Sequence, residues 1–209
     1  QKLGFQTFVA PFAPNGKPLH VHGFLEKFEQ TANDTATQLK KLSAHGIPLM
    51  GIEPSMTLAY RAEYKKVLGA ENAPEVLLVQ EWLAKNPEKL QAGDKSKTQT
   101  FQLLAHCTEK TNAAASIGDW QNLFKTLGHD LQVLDVGCCG MAGTYGHETQ
   151  NVETSKKIYQ MSWAEAVNTP DYQNTLVASG YSCRSQVKRM DGKTLPHPLQ
   201  VLLQTYVNH

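Results

Sequence analysis

Short apolar runs alternate with amphipathic stretches along this chain, and that alternation restricts its fold more than any other feature. In the second half the runs are residues 101–106 (FQLLAH), 131–136 (LQVLDV) and 174–179 (NTLVAS). Each has the length of a buried strand, and a segment of helical character follows each. Ala113, Ile117, Trp120, Phe124 and Leu127 mark one helix, and Val152, Ser155, Tyr159 and Trp163 mark another. Residues 182–190 predict a short helix, and the apolar stretch after His197 a last one. The first half keeps the same rhythm. Strands are expected at 5–10 and 47–53. Phe24, Phe28, Ala32, Thr35, Leu39 and Leu42 mark a helix over 22–44. A further helix is expected over 55–68, with Ser55 as its N-cap, and residues 74–84 lean towards helix. The whole pattern predicts an α/β fold with parallel sheets.

The two halves also read as copies. Both have a Leu-Gly pair, a strand, a turn-rich loop and a helix in the same order. In this pairing Met56 stands where Cys183 stands, and Pro11 to Ala13 stand where Cys138 and Cys139 do. The polar stretch 85–99 is the natural connector. The expected architecture is therefore two related subdomains, each with a small parallel sheet flanked by helices: residues 1–92, without cysteine, and residues 93–209, with all four cysteines. A chain of 209 residues is long enough for that. Its net charge of +1 offers no basic face for nucleic acid. No apolar run approaches the ~20 residues that cross a bilayer, and no signal-peptide pattern opens the chain. The chain starts on Gln rather than Met and reads as a piece of a longer protein.

Each cysteine follows a strand. Cys107 comes after the first run of the second half, Cys138 and Cys139 after the second, and Cys183 after the third. Residues just past the carboxyl ends of parallel strands converge on one rim, where such folds bind ligands. Four thiolates brought together there suit a soft metal or an iron–sulfur cluster. The glycines around the vicinal pair, in DVGCCGMAGTYGHE, fit that role. Gly137, Gly140 and Gly143 let backbone pass close to a bulky centre and free N–H groups to face sulfur. A helix starting near residue 147 would aim its positive end at the site, and Arg184 would add a full positive charge. Zinc is the rival occupant, with His106, His147 or His197 completing a sulfur–nitrogen set, and the rival function is a zinc-bound or metal-free structural or interaction domain with no redox role. Buried packing and a vicinal thiol redox pair are the competing readings of the cysteines themselves.

Other residues draw less attention. His20 and His22 form a two-histidine pair on an expected strand, suited to a metal or to a substrate-facing loop. Arg61 and Glu63 read as surface or interface ion pairs. His106 and His197 read as hydrogen-bonding support for metal ligands or as core groups.

At HCTEK, CCGMAGTYGHE and SGYSCRSQVKR the chain resembles the cysteine-rich CCG domain of heterodisulfide reductase B subunits and glycolate oxidase iron–sulfur subunits. NGKPLHVHGFLEKF and IEPSMTLAYRAEY extend the likeness to the version fused at the carboxyl end of bacterial FAD-linked D-2-hydroxy-acid dehydrogenases. The resemblance implies an electron-transfer module with a [4Fe–4S] cluster on Cys107, Cys138, Cys139 and Cys183. It implies FAD in an N-terminal domain of the same parent chain and an acceptor that is a protein or a quinone. It also implies a cytoplasmic location, peripheral at the inner membrane. Two departures matter. The family pattern ends in Cys-x-x-Cys, and here Gly180 takes the first of those places. The first half lacks its cysteines altogether, which leaves the second half with four thiolates. The chain has no Gly-rich dinucleotide fingerprint, so no dehydrogenase activity is expected of it alone.

Overall fold

A computed structural model describes residues 3–90 and 98–207. The chain divides into two compact units, Gln1–Trp82 and Leu83–His209. The boundary expected between residues 92 and 93 lies outside the described residues. Each unit carries a small parallel sheet flanked by helices, so the fold is α/β.

The first unit is built on helix α2 (Leu25–Ser43), preceded by the short α1 (Lys17–Val21). Phe28, Ala32, Thr35 and Ala36 recur at helical spacing and are buried on one face of α2. They pack with Tyr64, whose hydroxyl donates to the Asn15 carbonyl at 2.9 Å. Strand β1 (Met50–Gly51) leads into α3 (Pro54–Arg61) and α4 (Glu63–Leu68), and β2 (Leu77–Leu78) pairs parallel with β1 before α5 (Val79–Ala84).

Several expectations change here. Residues 5–10 form no strand: Phe8 and Val9 are 78% and 100% exposed, and β1 and β2 pair with each other. An alternating pattern becomes a strand only when a neighbour supplies hydrogen bonds and a face to cover. The helix expected over 55–68 breaks at Ala62. Its N-cap is Glu53, ahead of the expected Ser55, with Pro54 at the first helical position. Within the apolar residues 74–84 only Leu77–Leu78 is strand, and the helix begins at Val79. His20 and His22 lie at a helix and its end, two residues apart, a spacing that does not put side chains on a common face. His20 instead packs edge-on against Phe28, with ring centroids 5.0 Å apart. Arg61 and Glu63 are tied within the unit. Arg61 donates to the Val76 carbonyl and grips the Glu81 carboxylate with both terminal nitrogens, while Glu63 pairs with Lys17.

In the second unit, strand β3 (Thr100–Leu104) lies between β4 (Asp130–Val133) and β5 (Leu176–Ala178), all parallel. The register pairs Leu103 with Val133 and Leu104 with Ala178, so the three strands end at one level. Helices α6 (Cys107–Asn112) and α7 (Ala115–Thr126) connect β3 to β4. Two tight 3-10 turns, Tyr145–His147 and Thr149–Asn151, then α8 (Val152–Gln160) and α9 (Trp163–Asn168), connect β4 to β5. The α-helix expected from residue 147 thus starts only at Val152, after the turns. Helix α10 (Tyr181–Asp191) follows β5, and α11 (Pro198–Val207) closes the unit. Its core joins the strands to the loop after β4: Leu104, Val136, Met141, Trp163, Ala178 and Val187 pack together with Cys139 and Cys183.

A candidate metal centre at the strand ends

The even strand ends place three loops on one rim. Cys107 is the first residue of α6, three residues past β3. Cys138 and Cys139 lie in the loop after β4, and Cys183 is the third residue of α10, after β5. All four are free thiols; Cys139 and Cys183 are buried, and Cys107 and Cys138 are partly exposed. The thiols meet in sequence: Cys107 is within hydrogen-bonding reach of Cys138, Cys138 of Cys139, and Cys139 of Cys183. Hydrogen bonds from Cys107 and Cys139 pull the Cys138 thiol far below the ordinary range against the opposing effect of burial. The Gly140 N–H and nearby His106 add to this. Its neighbours move the other way. Cys107 is raised first by its hydrogen bond to Cys138 and then by burial, and Cys139 first by its bonds to Cys138 and Cys183. Among the four, Cys138 is the thiol whose surroundings favour the thiolate form.

The loop holding the vicinal pair is fastened on both sides. The Gly137 N–H donates to Ser162 Oγ at 3.0 Å, and Trp163 Nε1 donates to the Gly137 carbonyl at 2.9 Å. Ser155 Oγ donates to the Gly140 carbonyl at 2.8 Å. The Gly140 N–H points to Cys138 Sγ, 3.3 Å away. Of the glycines singled out in the sequence, Gly140 is the one whose N–H faces sulfur. Gly137 spends its N–H on Ser162, and Gly143 stands in open space.

Helix α6 is capped by the side chain of His106. His106 Nδ1 accepts the Thr108 N–H at 3.1 Å, and the His106 N–H, near the Glu109 carboxyl group, donates to Ser179 Oγ at 3.0 Å. Glu109 is fully buried. Burial pushes its carboxyl up, while hydrogen bonds from Ser179, Trp120, the His106 backbone and Ser116 work in the opposite direction. Neither Glu109 nor Ser179 stands out in the sequence. The one signal is a glutamate at the third position of a helix start, which is the spacing of a capping box.

The remaining candidates divide. His106 is buried close enough to Cys138 to act on it electrostatically. His147 is exposed, and His197 packs edge-on against Trp120 at 5.6 Å with Nδ1 accepting the Leu199 N–H. Burial holds the His197 imidazole neutral, at a pKa of about 4. Arg184 donates through Nη1 to the Ala178 and Ser179 carbonyls at 2.9 and 3.0 Å, so its charge stands at the end of β5.

Gly180, the place where the resemblance calls for a fifth cysteine, has no room for a side chain. A Cβ there would lie 2.3 Å from His106 Cδ2 and 3.1 Å from Cys183 Sγ. Its φ of −83° is ordinary, so the obstacle is contact, chiefly with His106. Gly180→Ala is expected to cost about 1–3 kcal/mol by overpacking, read from the urea midpoint of the second unit. In a His106→Ala background, which carries its own cost from the lost cap, the same Gly180→Ala change should cost much less; no loss in the single variant would contradict this packing.

The donor set has the chemistry of a soft-metal or iron–sulfur site. Four free thiols come from three loops, one already favours the thiolate, and a backbone N–H faces its sulfur. Among the described residues no group of three or more His, Cys, Asp or Glu side chains surrounds one point where a metal could sit.

Proteins similar to this chain are dehydrogenases, enzymes of the oxidoreductase class. The chain is 52% identical over 204 residues to D-2-hydroxyglutarate dehydrogenase of Pseudomonas putida, which covers 97% of this chain and 20% of that protein. It is 44% identical over 205 residues to the Escherichia coli protein of the same name, covering 98% and 20%. A weaker likeness, 26% over 196 residues, joins it to one subunit of the anaerobic glycerol-3-phosphate dehydrogenase of Escherichia coli, over 90% of this chain and 48% of that one. The chain thus spans about a fifth of the length of the D-2-hydroxyglutarate dehydrogenases it matches. No family model matches it, and neither does any solved structure.

Proposed function

We propose that this chain is the iron–sulfur electron-transfer module of an FAD-dependent D-2-hydroxy-acid dehydrogenase, with D-2-hydroxyglutarate as the parent's substrate. The observation that carries this reading is the row of four thiols from three strand-end loops. Similarity to D-2-hydroxyglutarate dehydrogenases over nearly the whole chain supports the parent and its substrate. Cys107, Cys138, Cys139 and Cys183 would hold a [4Fe–4S] cluster, which when bound supplies one-electron transfer between the parent's flavin and a protein or quinone acceptor.

The chain's own groups prepare that site. The hydrogen bonds around Cys138 favour its thiolate form. The Gly140 N–H donates to its sulfur and offsets negative charge there. Cys139 and Cys183 lie at 4% and 1% exposure and keep water from one side of the thiol row, while Cys107 and Cys138 face its open side. In the first unit, Phe8, Val9 and Phe12 stand exposed to solvent. Apolar side chains so exposed favour a surface that docks on the rest of the parent.

Anaerobic purification of the full-length protein tests the reading. Broad visible absorbance that dithionite bleaches, with iron and acid-labile sulfide in equal amounts, is the expected result. A colourless anaerobic preparation with stoichiometric zinc would overturn it.

A further inference from the structure

We propose that α6 is the keystone of the thiol site: Glu109 fixes the Cys183 segment through Ser179, and Lys110 fixes the Cys138–Cys139 segment through the Val136 carbonyl. Both are then positioning residues, and the helix that contributes one thiol sets its distance from the segments that carry the other three. This rests on the reading that the four thiols share one centre.

The contacts run outward from α6 in two directions. Towards β5, Ser179 Oγ donates to Glu109 Oε2 at 2.6 Å and accepts the His106 N–H at 3.0 Å. A hydroxyl has one proton. With that proton given to Glu109, the Ser179 lone pairs are left for His106, so the orientation of the hydroxyl is settled from both sides. Ser179 is the residue after β5 and lies four places before Cys183. Trp120 Nε1 donates to the other Glu109 oxygen at 3.2 Å, and Ser116 Oγ adds a longer contact at 3.5 Å. Towards β4, Lys110 Nζ donates to the Val136 carbonyl at 2.8 Å and lies 3.4 Å from the Asp135 carboxylate. Val136 is two residues before Cys138.

Neighbouring side chains of one six-residue helix thus reach the two other thiol-bearing loops, on either side of the central strand. A carboxyl group taken fully out of water is costly to keep unless its hydrogen bonds are satisfied. A carboxylate that needed only to cap its helix would have no need of Ser179. The bond to Ser179 spans 70 residues of sequence and the Lys110 bond spans 26. Both join segments that the sheet alone fixes only up to the strand ends.

The test uses the full-length protein, stripped of metal and reduced, with a short bifunctional thiol reagent and mass-spectrometric mapping of the bridged peptides. Two bridges are read separately, Cys107 to Cys138 and Cys107 to Cys183. Ser179→Ala should lower the Cys107–Cys183 bridge severalfold and spare the other. Lys110→Met should do the reverse. General destabilisation would lower both bridges together, and that result, or no change in either, would overturn the proposal. Iron retention in the metal-loaded protein is the second readout. Loss of an outer hydrogen bond to a ligand segment should weaken it about 10- to 100-fold in each variant. If the native protein holds no iron and the bridges still split as stated, the positioning role stands and the electron-carrier reading fails.

Discussion

Cys139→Ser is expected to abolish iron binding while leaving the second unit folded. Cys139 stands between Cys138 and Cys183 in the row of thiols, so it is in contact with two of the other three. It is buried and packs among Leu104, Val136, Met141 and Trp163. Serine has nearly the same shape, and the cost to the fold is that of a buried hydroxyl, about 1–3 kcal/mol on protein scales. The cost to the metal is larger in kind. A serine hydroxyl keeps its proton at neutral pH and offers a hard oxygen where soft iron–sulfur chemistry needs thiolate. Iron per chain, measured beside the far-ultraviolet circular dichroism of the same sample, separates the two effects. Unchanged iron content would remove Cys139 from the ligand set.

Gly140→Ala is expected to produce the largest loss of stability of any single methyl addition in the loop. Gly140 has φ +87°, a conformation that costs an L-residue about 1–2 kcal/mol. The new Cβ would also lie 2.3 Å from the Ser155 carbonyl oxygen and 3.1 Å from Gln186 Nε2. Ser155 is in α8, so the obstacle is helix backbone and cannot rotate aside. It also supplies the hydroxyl that holds the Gly140 carbonyl, and Gln186 Nε2 donates to that hydroxyl at 2.8 Å. Backbone strain and overpacking together predict a loss of about 2–5 kcal/mol. Gly143→Ala is the control. Its φ is also positive, +70°, but nothing lies within 4 Å of the added carbon. It should lose only the conformational part, about 1–2 kcal/mol. Equal losses in the two variants, by urea unfolding, would show that contact with α8 does not govern the loop.

The second half of the chain is the more readable. Residues 101–106 and 174–179 are apolar on both faces, as a strand in a small covered parallel sheet must be, and β3 and β5 fall within a residue or two of them. Cysteines placed after such runs lead directly to the shared rim, because parallel strands force their carboxyl ends together. The first half misleads. FQTFVA has the composition of a strand, yet β-propensity is a property of a partnered surface, and Phe8 and Val9 stand exposed. The pair His20 and His22 misleads because a two-residue spacing shares a face on a strand and not on a helix. Glu109 and Lys110 look like ordinary surface charges in HCTEK. Their roles depend on Ser179 and Val136, partners 70 and 26 residues away, which local pattern does not disclose. The grip of Arg61 is hidden for the same reason, since Glu81 and the Val76 carbonyl meet it only in the folded unit.

The claim beneath all of this is that sulfur atoms of Cys107, Cys138, Cys139 and Cys183 bind one iron-containing centre. Crystals grown anaerobically, with diffraction recorded on both sides of the iron absorption edge, test it most directly. The account predicts a single compact peak of iron anomalous density bonded to all four sulfurs at the ends of β3, β4 and β5. Iron density elsewhere in the second unit, or at that rim but out of bonding contact with these cysteines, would contradict it.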